Sequence, residues 1–225
     1  MESDLWLFEK EAVNQGYHAV AGVDEVGRGP LAGPVISAAV ILPANFSADG
    51  ITDSKKLTPR KRDRFYDIIY EQALSVGIGI IEPLEIDRVN ILQASLRAMV
   101  MAIENLRPDP DYVLIDGSHR IPMKLPQQTI TKGDSRSISV AAASIVAKVT
   151  RDRLMERYQP YYPEYGFPGH KGYPTKAHKT SIREWGVSPI HRRSFRGVKE
   201  FCEESGRMVD GSLFQNSQWK KGPRD

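Results

Sequence analysis

The run Val35-Ile36-Ser37-Ala38-Ala39-Val40-Ile41-Leu42 is the longest apolar stretch of the sequence, and it constrains the fold more than any other feature. It is interrupted only by Ser37, rich in β-branched residues and closed by Pro43, so it reads as a buried strand. It is far shorter than the roughly 20 apolar residues that a membrane-spanning helix needs, so no contact with a membrane is expected. A buried strand must be flanked by others. Ala19 to Val23 forms one that ends at Asp24-Glu25, and residues 76–81 form another, with glycines at 77 and 79. Tyr112 to Ile115 is a fourth, ending at Asp116-Gly117, and Thr129 to Thr131 is a short fifth.

Helical patterns lie between and after these strands. Thr58-Pro59 places a capping hydroxyl before a proline at the first helical position, opening a helix to about Leu74. Glu85 to Leu106 carries apolar residues at 86, 89, 92, 96, 99, 103 and 106, the spacing of one continuous helix. Ile138 to Tyr158 is Ala-rich and then Arg/Asp-rich, and Lys176 to Trp185 is a shorter helix stopped by Gly186. Three strands in succession, then alternating helices and strands, predict one α/β domain with a mixed sheet. The 225 residues, 40% hydrophobic and 26% charged, suit one large domain or one domain with an extension. Residues 159–174 form an aromatic, Pro/Gly-rich loop, and beyond about 210 the chain takes the composition of a frayed tail.

The single cysteine, Cys202, excludes an intramolecular disulfide and a Cys-built zinc site. His170, His178 and His191 lack zinc-finger spacing. The start, Met1-Glu2-Ser3-Asp4, has neither a basic n-region nor an apolar h-region, so a cytoplasmic location is expected. The formal net charge of +3 conceals two opposed regions. Residues 1–131 hold 13 basic and 18 acidic residues, residues 132–196 hold 13 and 5, and residues 197–225 hold 5 of each. A local basic excess suits a polyanionic partner, and ordinary solvated helix faces give similar counts.

Three short motifs could carry chemistry. Gly22-Val23-Asp24-Glu25-Val26-Gly27-Arg28-Gly29-Pro30 ends a strand in two adjacent carboxylates. Strand neighbours point to opposite faces, so both serve one site only if the chain bends there, as the following glycines allow; alone they read equally as turn residues. Gly27-x-Gly29-x-x-Ala32 imitates a dinucleotide fingerprint, but Pro30 and a strand follow where that motif needs a helix. Asp116-Gly117 by itself reads as a turn, and Lys132-Gly133-Asp134-Ser135 as a helix cap. Taken together, Asp24 and Asp116 end two strands of one sheet, Asp134 follows a third, and Glu25 makes four acids. Such a set suits Mg²⁺ or Mn²⁺, which take oxygen ligands and let substrate phosphates complete the sphere. Two such ions about 4 Å apart can activate a water and stabilise a leaving 3′-oxygen.

Seven ordered stretches resemble one family, the bacterial branch of the type 2 ribonucleases H. They are Ala21-Gly22-Val23-Asp24-Glu25-Val26-Gly27-Arg28-Gly29, Asp53-Ser54-Lys55-Lys56-Leu57, Val113-Leu114-Ile115-Asp116-Gly117 and Lys132-Gly133-Asp134. Ala142-Ala143-Ser144-Ile145-Val146-Ala147-Lys148-Val149-x-Arg151-Asp152, His170-Lys171-Gly172-Tyr173 and Ser188-Pro189-Ile190-His191-Arg192 complete the set, which runs from about 19 to 195. The resemblance implies a ribonuclease-H-like α/β fold: a central mixed five-stranded sheet flanked by helices, with a helical C-terminal extension. It implies a catalytic domain over 1–195 and an extension over 196–225, partly helical and then a flexible tail.

The same resemblance implies a metal-dependent endonuclease that hydrolyses the RNA strand of RNA–DNA hybrids and incises 5′ of single ribonucleotides in duplex DNA. Asp24, Glu25, Asp116 and Asp134 are then the catalytic acids and ligands of Mn²⁺ or Mg²⁺. Gly27, Arg28 and Gly29 read the ribose, because glycines let backbone groups approach a 2′-hydroxyl. Tyr173 stacks on the sugar, and Lys55, Lys148 and Arg151 meet backbone phosphates. Partners are RNA–DNA hybrid and ribonucleotide-containing duplex DNA, the protein is a monomer, and no visible motif supports a sliding-clamp contact. The type 3 branch differs at the position of Arg28 and carries an extra N-terminal domain, for which about 18 residues before the first strand leave no room. A related nuclease of the same fold would share the acids without the Gly27–Gly29 and Tyr173 pair, and a hybrid-binding module would have no use for four acids near phosphate.

Overall fold

A computed structural model describes residues 4–202 except 48, 52, 53 and 56. Asp53 and Lys56 of the second matching stretch, and the tail expected beyond about 210, lie outside the described residues. Five strands, β1 (Val20–Val26), β2 (Val35–Ile41), β3 (Ser75–Ile81), β4 (Tyr112–Asp116) and β5 (Gln127–Ile130), form one sheet in the order β3-β2-β1-β4-β5. The first three are antiparallel neighbours, whereas β4 runs parallel to both β1 and β5, so the sheet is mixed as expected.

Alternation along β2 explains why its apolar run has no polar face. Ala38 and Val40 pack with Ala141, Ala142 and Ile145 of helix α5 (Ile138–Arg157), while Ala39 and Ile41 pack with Met99, Ala102 and Ile103 of helix α4 (Ile91–Glu104). Helices cover both faces, and every residue of β2 is buried. Small residues set how close the layers come. A Cβ on Gly22 would stand 2.1 Å from the Ser139 carbonyl carbon, and one on Gly79 would stand 2.0 Å from the Ala98 carbonyl oxygen. The alanines of α4 and α5 supply the matching surfaces.

Two local features differ from the sequence expectation. The helix expected over 85–106 is broken into α3 (Pro83–Val89) and α4 by Asn90, which takes φ 69°. Its side chain accepts from the Leu92 and Gln93 amides at 3.0 and 3.1 Å, so an Asn inside an apolar period acts as a cap. A first helix, α1 (Leu7–Asn14), precedes the sheet and buries Phe8 and Ala12 against Val20 and Tyr112. Its Glu9 is buried as well and accepts from the Ser137 hydroxyl and the Ser139 amide, tying the N-terminus to the start of α5.

The remaining helices are α2 (Pro59–Gln72), capped by Thr58 as expected, the short α6 (Phe167–His170), and α7 (Lys176–Trp185), capped by Thr175. Val198 is buried with Leu31, Met155, Phe167 and Ile190, so the first residues after 195 pack on the body of the protein, and the chain is helical from Lys199 to Cys202. Among the described residues no helix is long and apolar enough to cross a membrane.

Gly79→Ala should destabilise the protein by about 3 kcal/mol, because the clash is with backbone that cannot rotate away. At this chain length that is a fall in Tm of about 6–12 °C, and an unchanged Tm would refute the close-approach account.

Candidate active site

Parallel pairing sets the site. Val23 of β1 stands opposite Ile115 of β4, so the next residues, Asp24 and Asp116, leave the same edge of the sheet side by side. Alternation sends Asp24 to the α5 face, where Ser144 lies beside it, and Glu25 to the α4 face. No bend separates these two acids. β1 continues to Val26, and the turn comes only at Gly27, which takes φ 93°. The charge of Asp116 acts on both carboxylates, and that of Glu25 acts on Asp24 directly. Asp134 sits in a short 3-10 turn (Gly133–Ser135) after β5, and that turn is tied to β4 by the Gly133 amide donating to Asp116 Oδ1 at 2.7 Å.

The charges are close enough to disturb one another. Burial first, then the charges of Glu25 and Asp116, push the Asp24 carboxyl well above its ordinary range, against the pull of the Glu25 amide at 2.7 Å. Burial also raises Glu25, and Arg28, 3.2 Å from Glu25 Oε1, opposes that rise. Lys55 Nζ lies 3.7 Å from Asp134 Oδ2 with its side chain 79% exposed. Glu25 and Asp116 line a cleft of about 170 Å³ together with Arg28, Leu92, Ser95, Ser118 and His119. Ser118 and His119 were not anticipated from the sequence, since nothing in their spacing separates them from ordinary loop residues.

The Gly27-Arg28-Gly29 loop and Tyr173, 144 residues apart, come together: a Cβ on Gly29 would lie 3.8 Å from the Tyr173 ring. A backbone bond from the Leu31 amide to the Gly172 carbonyl at 2.8 Å joins the two segments, and one from the Arg192 amide to the Leu31 carbonyl at 2.8 Å ties in a third. Below Tyr173 lies a chain of neutral imidazoles. His178 Nδ1 bonds the Tyr173 carbonyl at 2.9 Å, which requires a proton there and leaves Nε2 to accept from His191 Nε2 at 3.0 Å. His191 Nδ1 then accepts from the Ser188 amide and hydroxyl at 3.1 and 2.7 Å. His170 stacks on His178 with ring centroids 4.4 Å apart. Burial lowers His178 to about 4 and His191 to about 3, and it lowers His170 as well.

The structure overturns one of the three expected phosphate contacts. Arg151 is fully buried, and its guanidinium donates to the carbonyls of Pro34, Lys171 and Ala32 at 3.0, 2.9 and 3.1 Å. A phosphate cannot reach it, so the expected contact is corrected: Arg151 is a brace inside the fold. Lys148 is held by Asp152 at 2.8 Å and lines a polar groove of about 720 Å³ that includes none of the four acids. Arg192, which ends the last of the matching stretches, is a second fully buried arginine; its letter assigns it no role, because only burial distinguishes it from its exposed neighbour Arg193.

Among the described residues no three His, Cys, Asp or Glu side chains stand as a ready-made metal site. The donor set nevertheless fits a hard divalent cation in kind: four carboxylates supply oxygen only, and burial with mutual repulsion has raised Asp24, a strain that a bound cation would relieve. The rest of a coordination sphere would have to come from substrate oxygens and water.

The sheet order, with acids at the ends of β1 and β4 and in the turn after β5, defines a ribonuclease-H-like α/β protein. The crystal structure of a ribonuclease H2 from Pyrococcus horikoshii superposes with a TM-score of 0.71 at 27% identity, covering 85% of this chain and all of that one. That of a Bst-RNase HIII in complex with Mn²⁺ gives 0.61 at 21% identity, covering 84% of this chain and 70% of that one, a likeness of fold alone. The sequence profile of the family Ribonuclease HII matches residues 21–198. A Ribonuclease HII of Geobacter metallireducens is 57% identical over 199 residues, 88% of this chain and 93% of that protein. The chain belongs to the ribonuclease HII family and is a type 2 ribonuclease H, a hydrolase.

Two outcomes follow from the buried charges. The imidazoles stay neutral in the native state while the unfolded chain takes up protons below the ordinary histidine value of 6.5. Their contribution to stability is therefore complete above pH 6.5 and is lost as the pH falls from there toward about 4 and 3. Tm should drop on acidification through this window, with a shallower slope in His191→Asn; equal slopes would refute the neutral chain. Asp24→Asn should raise Tm by about 2–4 °C, the effect of about 1 kcal/mol, by removing a buried and repelled charge. A lowered Tm would show that the Asp24 charge is stabilised by its surroundings.

Proposed function

We propose that this endonuclease of RNA–DNA hybrids also incises duplex DNA on the 5′ side of a single embedded ribonucleotide, with Mn²⁺ or Mg²⁺ held by Asp24, Glu25, Asp116 and Asp134. The observation that carries this reading is the meeting of the Gly27-Arg28-Gly29 loop with Tyr173 beside the acids at the ends of β1 and β4. A glycine-flanked backbone facing an exposed tyrosine ring makes a slot in which a sugar is touched from two sides. The 2′-hydroxyl, donor and acceptor at once, is the group that such a slot can distinguish.

Each residue then has a role of its own. Gly27 and Gly29 keep the wall of the slot thin, and Tyr173 stacks on the sugar. Arg28 and Lys55, each paired with an acid of the cluster, turn to the phosphates when the strand binds. Asp24, Glu25 and Asp116 orient the scissile phosphate, and Asp134, on its separate turn, directs the attacking water. Bound divalent ions would neutralise the acids toward phosphate and make water a nucleophile near neutral pH. Attack at phosphorus leaves a 5′-phosphate and a 3′-hydroxyl.

The test is a labelled duplex with one ribonucleotide beside an all-DNA control, with Mn²⁺ or with EDTA. Cutting should be confined to the first duplex with metal. Cutting of the control would sink the ribose reading, and cutting in EDTA would sink the metal. Asp116→Asn should abolish cleavage with the fold intact by circular dichroism. Tyr173→Ala should slow incision at the single ribonucleotide roughly tenfold, the scale of one lost stacking contact.

A further inference from the structure

Arg192 is an unusual use of a charge. Its side chain is fully buried, and among the described residues it forms no ion pair. Burial lowers its pKa only to about 9, so it remains charged at neutral pH. The guanidinium is satisfied instead by backbone: Nη2 donates to the Gly27 carbonyl at 2.6 Å, Nη1 to the Arg28 carbonyl at 3.1 Å and Nε to the Gly33 carbonyl at 2.9 Å. Its place is fixed by its own amide on the Leu31 carbonyl, by the pairing of Ala32 with His191, and by the Phe195 ring 5.0 Å away.

The consequence lies on the other side of the loop. In a trans peptide the carbonyl of one residue and the N–H of the next point in opposite directions. Holding the Gly27 and Arg28 carbonyls down onto the guanidinium therefore turns the N–H groups of Arg28 and Gly29 away from it. Among the described residues neither amide donates to a protein acceptor. Gly27 reaches the required conformation at φ 93°, and a Cβ there would lie 2.3 Å from Arg151 Nε, so only glycine fits at this position. The buried charge also polarises both peptide groups, which strengthens the two outward donors toward an oxygen.

We propose that Arg192 is a positioning residue for ribose recognition: by holding the Gly27 and Arg28 carbonyls it presents the Arg28 and Gly29 amides as a fixed pair of donors for the 2′-hydroxyl. This rests on the ribose-reading function proposed above. The loop then enters binding already ordered, and the preference for ribose is set in part by a side chain that never touches the substrate.

The test measures preference rather than activity. Binding of a duplex with one ribonucleotide and of the same all-DNA duplex is compared in the presence of Mg²⁺ for Asp116→Asn, which holds substrate without cutting it, and for Asp116→Asn with Arg192→Lys. A lysine keeps the charge but cannot serve three carbonyls with one planar fork. The ratio of the two affinities should fall roughly tenfold on adding Arg192→Lys, and at least as far with Arg192→Gln, which loses the charge and sets an amide oxygen among the carbonyls. Leu106→Ala in the same background, a buried truncation beyond the end of α4 opposite the Leu92 that lines the cleft, should lower Tm and leave the ratio unchanged. A ratio that survives Arg192→Lys, or one that Leu106→Ala lowers equally, would overturn the assignment. If both Arg192 variants fail to fold by circular dichroism, Arg192 is a core residue only and the assignment falls. A missing preference in Asp116→Asn itself would remove the ribose-reading function and this role together.

Discussion

The parallel pairing of β1 with β4 is the constraint on which the site depends. It delivers Asp24 and Asp116 in register at one edge of the sheet and leaves Glu25 on the opposite face, near enough for all three charges to act on one another. A parallel pair needs a long crossover, and here the chain supplies β2, β3 and helices α2 to α4 before it returns. Those elements also wall the site. Helix α4 covers the Glu25 side and α5 the Asp24 side, and small residues let both helices lie close against the sheet. The repulsion among the acids is thus a direct product of the packing that makes the sheet stable.

A second layer of organisation is polar and buried. Arg151 and Arg192 bind six backbone carbonyls of the 27–34 segment and its neighbour Lys171, and the His178–His191–Ser188 chain supports the carbonyl of Tyr173. Loops of this kind lack ladder hydrogen bonds, so their carbonyls would otherwise be unsatisfied inside the protein. Guanidinium groups answer that need with several donors in one plane, at the expense of burying charge without a counter-ion. The loops are thereby fixed on a rigid frame.

The legibility of the sequence followed the range of the interactions involved. All five strands, the capped helices α2 and α7, and the four acids at strand ends were visible, because hydrophobic period, caps and turn residues act over a few neighbours. The seven matching stretches, and the family membership they pointed to, were visible for a related reason: they retain chemistry residue by residue. The split at Asn90 was hidden, since an apolar period cannot show that one side chain will cap a new helix instead of continuing the old one. Helix α1 was hidden too, because its buried Glu9 is stabilised only by Ser137 and Ser139, far along the chain.

The sequence by itself determined which residues could do chemistry and the order in which strands and helices would bring them forward. It could not decide which basic residues face substrate. Arg28, Arg151 and Arg192 are alike as letters, yet one pairs with Glu25 near the surface and two lie under the loop holding carbonyls. That the chain runs straight through Asp24 and Glu25 and turns only at Gly27 was likewise visible only in the fold. Burial and long-range pairing are sums over contacts from the whole chain, and they exist only once tertiary structure has formed.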